Sequence, residues 1–328
     1  MLGDSFSVPG LGGSRDEENI PAAITDIGCE REINEDRYAV IDSSSGRAWV
    51  VCDGMGGAVG GELAAQLAID AVRRALETND YASPGEGIRV AVEEANRIIV
   101  LRRQNPAFSG MGTTIVSAMI NGDEVVLSHA GDSRAYLVRD GVVQQLTVDH
   151  TYVQDLVDRG AITPEEALTH PQSHVLTRCL GAEPRLQLDM QEYWIWQVGP
   201  DEPTDKLLLC SDGLYSHVSD TEIAEVVTKT SPQEACVQLV ELAKNRGGFD
   251  NITVAVLPLS GQLREEASKR PAMEPQPKRR KQTTAQATNY SKSQRPPLSI
   301  GKKILLGFIF LTLGGLVAAL VVLATFGS

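Results

Sequence analysis

The chain has 328 residues, is 42% hydrophobic and carries a formal net charge of −13, which is enough apolar material for one large domain or two ordinary ones. Its five cysteines are odd in number, widely spaced and without a CxxC pair, which argues against a disulfide framework or a zinc cluster and suits a reducing compartment. The charge is divided: residues 262–303 hold eleven Lys/Arg against three Asp/Glu, residues 304–328 hold no charged side chain, and the net +8 of the former leaves −21 on the first 261 residues, a field that excludes nucleic acid as a partner and favours divalent cations.

Residues 1–20 are Gly/Ser-rich and aperiodic, and they lack the basic start and apolar core of a signal peptide, so a flexible tail is expected. From 21 to 260 the hydrophobic period changes several times. "RYAVID", "AWVVC", "TTIVSAMI", "EVVLSHA", "RAYLVRD", "KLLLC" and "NITVAVL" have strand character. A helix is expected after Gly60, with Leu63, Leu67, Val72 and Leu76 near helical spacing. A second follows with Ile88, Val92, Ala95 and Ile99. Asp140-Gly141 between two strand-like runs is a hairpin signal. The segment from Thr147 to Leu180 predicts a mobile flap. Ser219, Asp220 and Ser231-Pro232 open a second helix pair. Strands are grouped rather than alternated with helices, so the reading is α+β: mostly antiparallel sheets with helices packed outside.

Residues 261–303, rich in Pro, Gln, Ser, Thr and Lys and containing "PKRRKQ", have too little apolar surface to fold and predict a disordered linker. The linker's charge fits either anionic lipid head groups or a merely solvated tether. Residues 304–326 are apolar without interruption, and about 23 residues at about 1.5 Å each span a hydrocarbon core. Lys302 and Lys303 stand just before the run, so a single-pass, C-terminal anchor in the cell membrane with the preceding domain in the cytoplasm is expected.

One question runs through the domain: why acids stand where apolar runs end. Asp53 closes a strand-like run and is followed by Gly54. Asp212 does the same before Gly213. Glu35 and Asp36 precede a strand, Asp132 lies between two, and Asp250 precedes the last. One Asp in such a place is ordinarily a turn or cap residue; several at strand mouths imply a cluster. Clustered carboxylates repel unless a cation neutralises them. Hard oxygen donors without Cys or His at ligand spacing point to Mg²⁺ or Mn²⁺ rather than zinc. Two such ions can share a nucleophilic hydroxide and stabilise displacement at phosphorus, and Gly54 leaves room for its carbonyl to join them.

With Arg31-x-x-x-Glu35-Asp36, Asp53-Gly54-Met55-Gly56-Gly57, Gly110-Met-Gly-Thr-Thr114, Gly131-Asp132-Ser133-Arg134, Ser211-Asp212-Gly213 and Asp250-Asn251 in order, the chain resembles the metal-dependent type 2C protein serine/threonine phosphatases (PPM family) of bacterial type over residues 22–258. The resemblance implies two antiparallel sheets in an α-β-β-α sandwich and hydrolysis of phosphoserine and phosphothreonine by a hydroxide bridging two Mg²⁺ or Mn²⁺ ions. It implies Asp53, Asp212 and Asp250 as ligands of one ion. Asp53, the Gly54 carbonyl and Glu35 match those of the other, with Asp36 holding a water. Asp132 with Asp212 matches a third site. Arg31 matches the residue that grips the phosphate, a task for which a planar guanidinium is suited. Asn251 matches a supporting amide. Met55 stands where animal relatives carry a His, so the donor to the leaving group is not identified. The implied partners are phosphorylated proteins and a Ser/Thr kinase. The rival readings are a catalytically silent binding module, a cation buffer, or the same chemistry on another substrate such as an anti-sigma antagonist.

Overall fold

The computed structural model describes residues 19–57 and 60–265. In chain order the elements are β1 (Ala22–Asp26), β2 (Asp36–Ser43), β3 (Gly46–Met55), α1 (Gly60–Thr78), α2 (Pro84–Arg102), β4 (Gly112–Thr113), β5 (Ile115–Asn121), β6 (Glu124–Ala130), β7 (Arg134–Arg139) and β8 (Val142–Gln145). Then come α3 (Tyr152–Asp158), α4 (Pro164–Leu168), β9 (Asp189–Trp196), β10 (Lys206–Cys210), α5 (Asp212–Tyr215), α6 (Asp220–Lys229), α7 (Pro232–Asn245), β11 (Ile252–Pro258) and β12 (Gln262–Arg264). One sheet has the order β1-β11-β10-β7-β8; the other runs β12-β9-β6-β5-β3-β2, with β4 added to β3. The strand pairings are antiparallel, as expected.

Strand alternation divides the core into three layers. On β3, Trp49 and Val51 face the layer between the sheets, while Val50 and Cys52 face α1 and α2. On β10, Leu207 and Leu209 face the inter-sheet layer, while Leu208 and Cys210 face α6 and α7. Because both faces of the central strands are covered, their sequences read as continuous apolar runs rather than alternations. The four layers are therefore helices, sheet, sheet and helices.

Helix α2 starts at Ser83, whose Oγ accepts the Glu86 N–H at 3.2 Å, with Pro84 in the first turn. Its buried face includes Ile88, Val92, Ala95 and Ile99. The face of α1 is more alanine-rich than the leucine spacing implies. Ala64, Ala65, Ala68, Val72 and Leu76 are buried, whereas Leu63 and Leu67 are only partly so. The β7–β8 hairpin turns at Asp140 (φ 49°) and Gly141 (φ 74°), both left-handed as a type I′ turn requires.

The composition places the linker boundary at 260, but β12 carries ordered chain beyond it: Leu263 is buried and Gln262–Arg264 pair with β9. At that end of β10, Asp205 is fully buried and accepts from Arg139 through both carboxylate oxygens, at 2.7 and 2.6 Å, and from the Leu263 N–H at 2.6 Å. It thus ties β7 in one sheet to β12 in the other. The expected tail over residues 1–20, apart from residues 19 and 20, the rest of the linker and the 304–326 span lie outside the described residues. Among the described residues no helix is long and apolar enough to cross a membrane.

Candidate active site

The opposite end of β10 leads into Ser211 and Asp212, and here the acids singled out in the sequence converge. Asp36 and Asp53 are register partners on β2 and β3. Asp53 and Asp212 lie within hydrogen-bonding reach, and Asp36, Asp132 and Asp250 all act electrostatically on Asp53. Burial, and then the neighbouring acids, pushes the Asp53 carboxyl well above the ordinary carboxylate range. The same order of causes takes Asp36 up to about 7 and Asp132 up to about 8. Burial also raises Asp212, with Asp250 adding to it, and raises Glu35 against the pull of Arg31.

The backbone explains how they are held. Asp53 N donates to Thr114 Oγ1 at 3.0 Å, while its carbonyl accepts Thr114 N at 2.8 Å and Thr113 Oγ1 at 2.9 Å. A Cβ at Gly54 would lie 2.1 Å from the Gly61 carbonyl and 2.7 Å from that of Glu35, so only glycine lets α1 start this close to the end of β3. Asp36 Oδ2 accepts from Ser211 Oγ and Thr253 Oγ1, both at 2.7 Å and both from the other sheet. Thr253 Oγ1 pairs in turn with Thr25 Oγ1 at 2.8 Å. Asn251 ties the 27–35 segment down: its Oδ1 accepts Glu35 N at 2.8 Å, and its Nδ2 donates to the Ile27 and Ile33 carbonyls at 3.0 and 3.1 Å.

Arg31 is half-exposed at the rim, 2.7 Å from Asp250 Oδ2 and 3.7 Å from Glu35 Oε2. Asp132 belongs to the turn between β6 and β7, where Thr114 Oγ1 meets Ser133 Oγ at 2.7 Å and Tyr215 OH donates to the Asp132 carbonyl at 3.0 Å. The same turn anchors the flap. His150 N donates to the Gly131 carbonyl at 3.0 Å, Gly131 N donates back to His150 Nδ1 at 3.1 Å, and Arg134 makes a two-pronged pair with Asp149 while stacking over the Tyr215 ring.

Among the described residues, three buried side-chain oxygens lack a hydrogen-bond partner: Glu35 Oε1, Asp36 Oδ1 and Asp212 Oδ1. Asp36 and Asp212 stand among other acids, Glu35 lies beside the Gly61–Glu62 backbone at the start of α1, and the donor set is all oxygen. Buried polar atoms are normally satisfied, so this arrangement fits hard divalent cations. A second group, His129, His150 and Asp189, places ligand atoms within 4.8 Å of one another. It does not fit a metal. His150 Nδ1 accepts the Gly131 N–H, and the Arg178 guanidinium, a cation that can only donate, stands 3.3 Å from His150 Nε2 and bonds Asp189 Oδ1 at 2.9 Å.

The hydroxyls of Ser211, Thr253 and Thr114 support the site without having been singled out, and His174, which the sequence suggests is structural rather than catalytic, has its Nδ1 3.9 Å from Asp212 Oδ2. Ser211 and Thr114 sit inside the quoted motifs, which is the signal that points to them. His129 is buried on β6 and stacked on His150.

A four-layer antiparallel sandwich with a buried all-oxygen cluster between the ends of its sheets defines a class of metal-dependent hydrolase folds. The Protein phosphatase 2C family model matches residues 30–244, and the chain belongs to that family. It is 36% identical over 240 residues to the serine/threonine phosphatase stp of Listeria welshimeri, covering 71% of this chain and 93% of that protein. It is 40% identical over 238 residues to the serine/threonine protein phosphatase PstP of Mycobacterium tuberculosis, covering 72% of this chain but 44% of that one. The solved catalytic domain of PstP in complex with two manganese ions superposes with a TM-score of 0.61 at 38% identity, covering 72% of this chain and 96% of that one.

Proposed function

We propose that the protein is a serine/threonine phosphoprotein phosphatase that uses two Mn²⁺ or Mg²⁺ ions. The observation that carries this reading is the trio of partnerless buried oxygens on Glu35, Asp36 and Asp212, set among acids drawn from both sheets in a chain of this family. Asp53, Asp212 and Asp250 would hold one ion, and Asp53, Glu35 and the Gly54 carbonyl the other, with the open Asp36 Oδ1 available to accept from a water at the site and Asp132 with Asp212 offering a third position. When bound, the ions supply an activated water and neutralise the charge gathering at phosphorus.

The chain's own groups do the rest. Arg31 is exposed enough to exchange Asp250 for two phosphate oxygens, and its planar fork suits them. Ser211 and Thr253 fix Asp36 through one oxygen and leave the other facing the site. Asn251 holds Glu35 at its place on the rim. The net charge of −21 over residues 1–261 repels phosphate, and bound cations offset that repulsion at the site.

The apolar run at 304–326 supports a single-pass anchor with this domain on the cytoplasmic side. The basic linker then lies where anionic head groups are, and a Ser/Thr kinase and its targets at the same membrane are the natural counterparts. The test of the catalytic reading is hydrolysis of p-nitrophenyl phosphate and a phosphothreonine peptide by the full-length chain in Mn²⁺. Turnover that disappears in Asp212→Asn is expected, and turnover that persists in EDTA contradicts the reading.

A further inference from the structure

A phosphoserine ester has a poor leaving group, because the departing oxygen gathers negative charge unless a hydrogen-bond donor meets it. Met55, next to the Asp53-Gly54 corner, offers no such donor. Asp212 feels two basic side chains, His174 and Arg31. Arg31 is committed to Asp250 at 2.7 Å. The His174 imidazole is 78% exposed and stands 3.9 Å from Asp212 Oδ2, too far for a hydrogen bond.

The backbone around His174 is fastened although its ring is not. Val175 N donates to the Gln172 carbonyl at 3.2 Å, the Val175 carbonyl accepts Tyr152 N at 2.8 Å, and Thr177 N donates to the His150 carbonyl at 2.8 Å. Leu176 bridges Thr151, and His150 is itself locked to Gly131, the neighbour of Asp132. The flap therefore carries an uncommitted ring to the mouth of the acid cluster on a backbone bonded at both ends.

We propose that His174 is a substrate-contacting residue that donates an imidazole N–H to the bridging oxygen of the phosphoserine or phosphothreonine, while Arg31 holds the non-bridging oxygens. This rests on the phosphatase reading. In the step it assists, the bond from the attacking water oxygen to phosphorus forms as the bond from phosphorus to the serine oxygen breaks. The electron pair of the broken bond stays on the serine oxygen. One proton of the water ends on that oxygen, and the products are a serine hydroxyl and inorganic phosphate. The His174 N–H stabilises the charge on the departing oxygen and is returned unchanged.

The experiment compares leaving groups in the full-length, Mn²⁺-loaded chain. His174→Ala should lower kcat on a phosphoserine peptide by about a hundredfold, and by at least ten times more than on p-nitrophenyl phosphate, whose phenolate departs without help. His174→Asn, which keeps an N–H near the position of Nδ1, should recover part of the loss. Mn²⁺ affinity and stoichiometry by calorimetry should be the same in both variants and wild type. Equal losses on the two substrates, no loss on the peptide, or weakened Mn²⁺ binding in His174→Ala would each overturn the assignment. A wild-type chain without Mn²⁺-dependent turnover would instead overturn the phosphatase reading on which it stands.

Discussion

Asp36 and Asp53 stand opposite one another as register partners on β2 and β3, so two carboxylates leave neighbouring strands on the same face. Hydroxyls from the facing sheet satisfy only one oxygen of Asp36. Without cations, such a pair is most comfortable holding protons.

A pH dependence follows for the metal-free protein. Asp36 is pushed up to about 7 and Asp132 up to about 8, both above their ordinary value of 3.8. The folded state then binds more protons than the unfolded chain between these limits. Its extra stability is present below the unfolded value and is lost as pH rises through about 7 to 8. In EDTA, Tm should fall by several degrees between pH 5 and pH 8.5, and saturating Mn²⁺ should remove that slope, as read by calorimetry.

Gly54→Ala should destabilise the fold by about 1–3 kcal/mol or more, because backbone rather than flexible side chain occupies the space a Cβ needs. Urea unfolding in the presence of Mn²⁺ gives the magnitude. A stability within error of wild type would show that α1 can move away from β3.

Removing the Asn251 amide leaves Glu35 N and the carbonyls of Ile27 and Ile33 without their partner. Asn251→Ala should cost about 1–3 kcal/mol and should also weaken Mn²⁺ binding, because Glu35 loses its tether. Calorimetric titration with Mn²⁺ separates this from a uniform loss of stability.

Arg31→Lys keeps the charge and loses the fork. KM for a phosphopeptide should rise about tenfold or more, with a smaller change in kcat. Unaltered KM would place the phosphate elsewhere than at Arg31.

The legible part of the fold was the part buried on both sides. β5, β6, β10 and β11 announce themselves as apolar runs because helices and the other sheet cover them. β9 does not, since Gln191 and Glu192 are exposed on it, and β12 buries little more than Leu263. The acids could be found because each ends a run beside a turn. Of their supporting hydroxyls, those of Ser211 and Thr114 sit inside the motifs, but Thr253 could not be found, because a Thr on a strand has no distinguishing period. Arg31 shows a different limit. Spacing of four suggests a pairing with Glu35 one helical turn on, but this segment is not helical, and the closer partner is Asp250, 219 positions away.

The Arg139–Asp205–Leu263 junction gives the sandwich a clasp at one end that is complete without any ligand, while the other end is a mouth of mutually repelling acids. Depletion of divalent ions should therefore open the protein like a hinge rather than melt it evenly. Amide deuteration would quicken first near Asp53, Asp212 and Asn251 and last around Arg139 and Leu263. Cellular manganese supply would then set how long the enzyme survives proteolysis, as well as how fast it turns over.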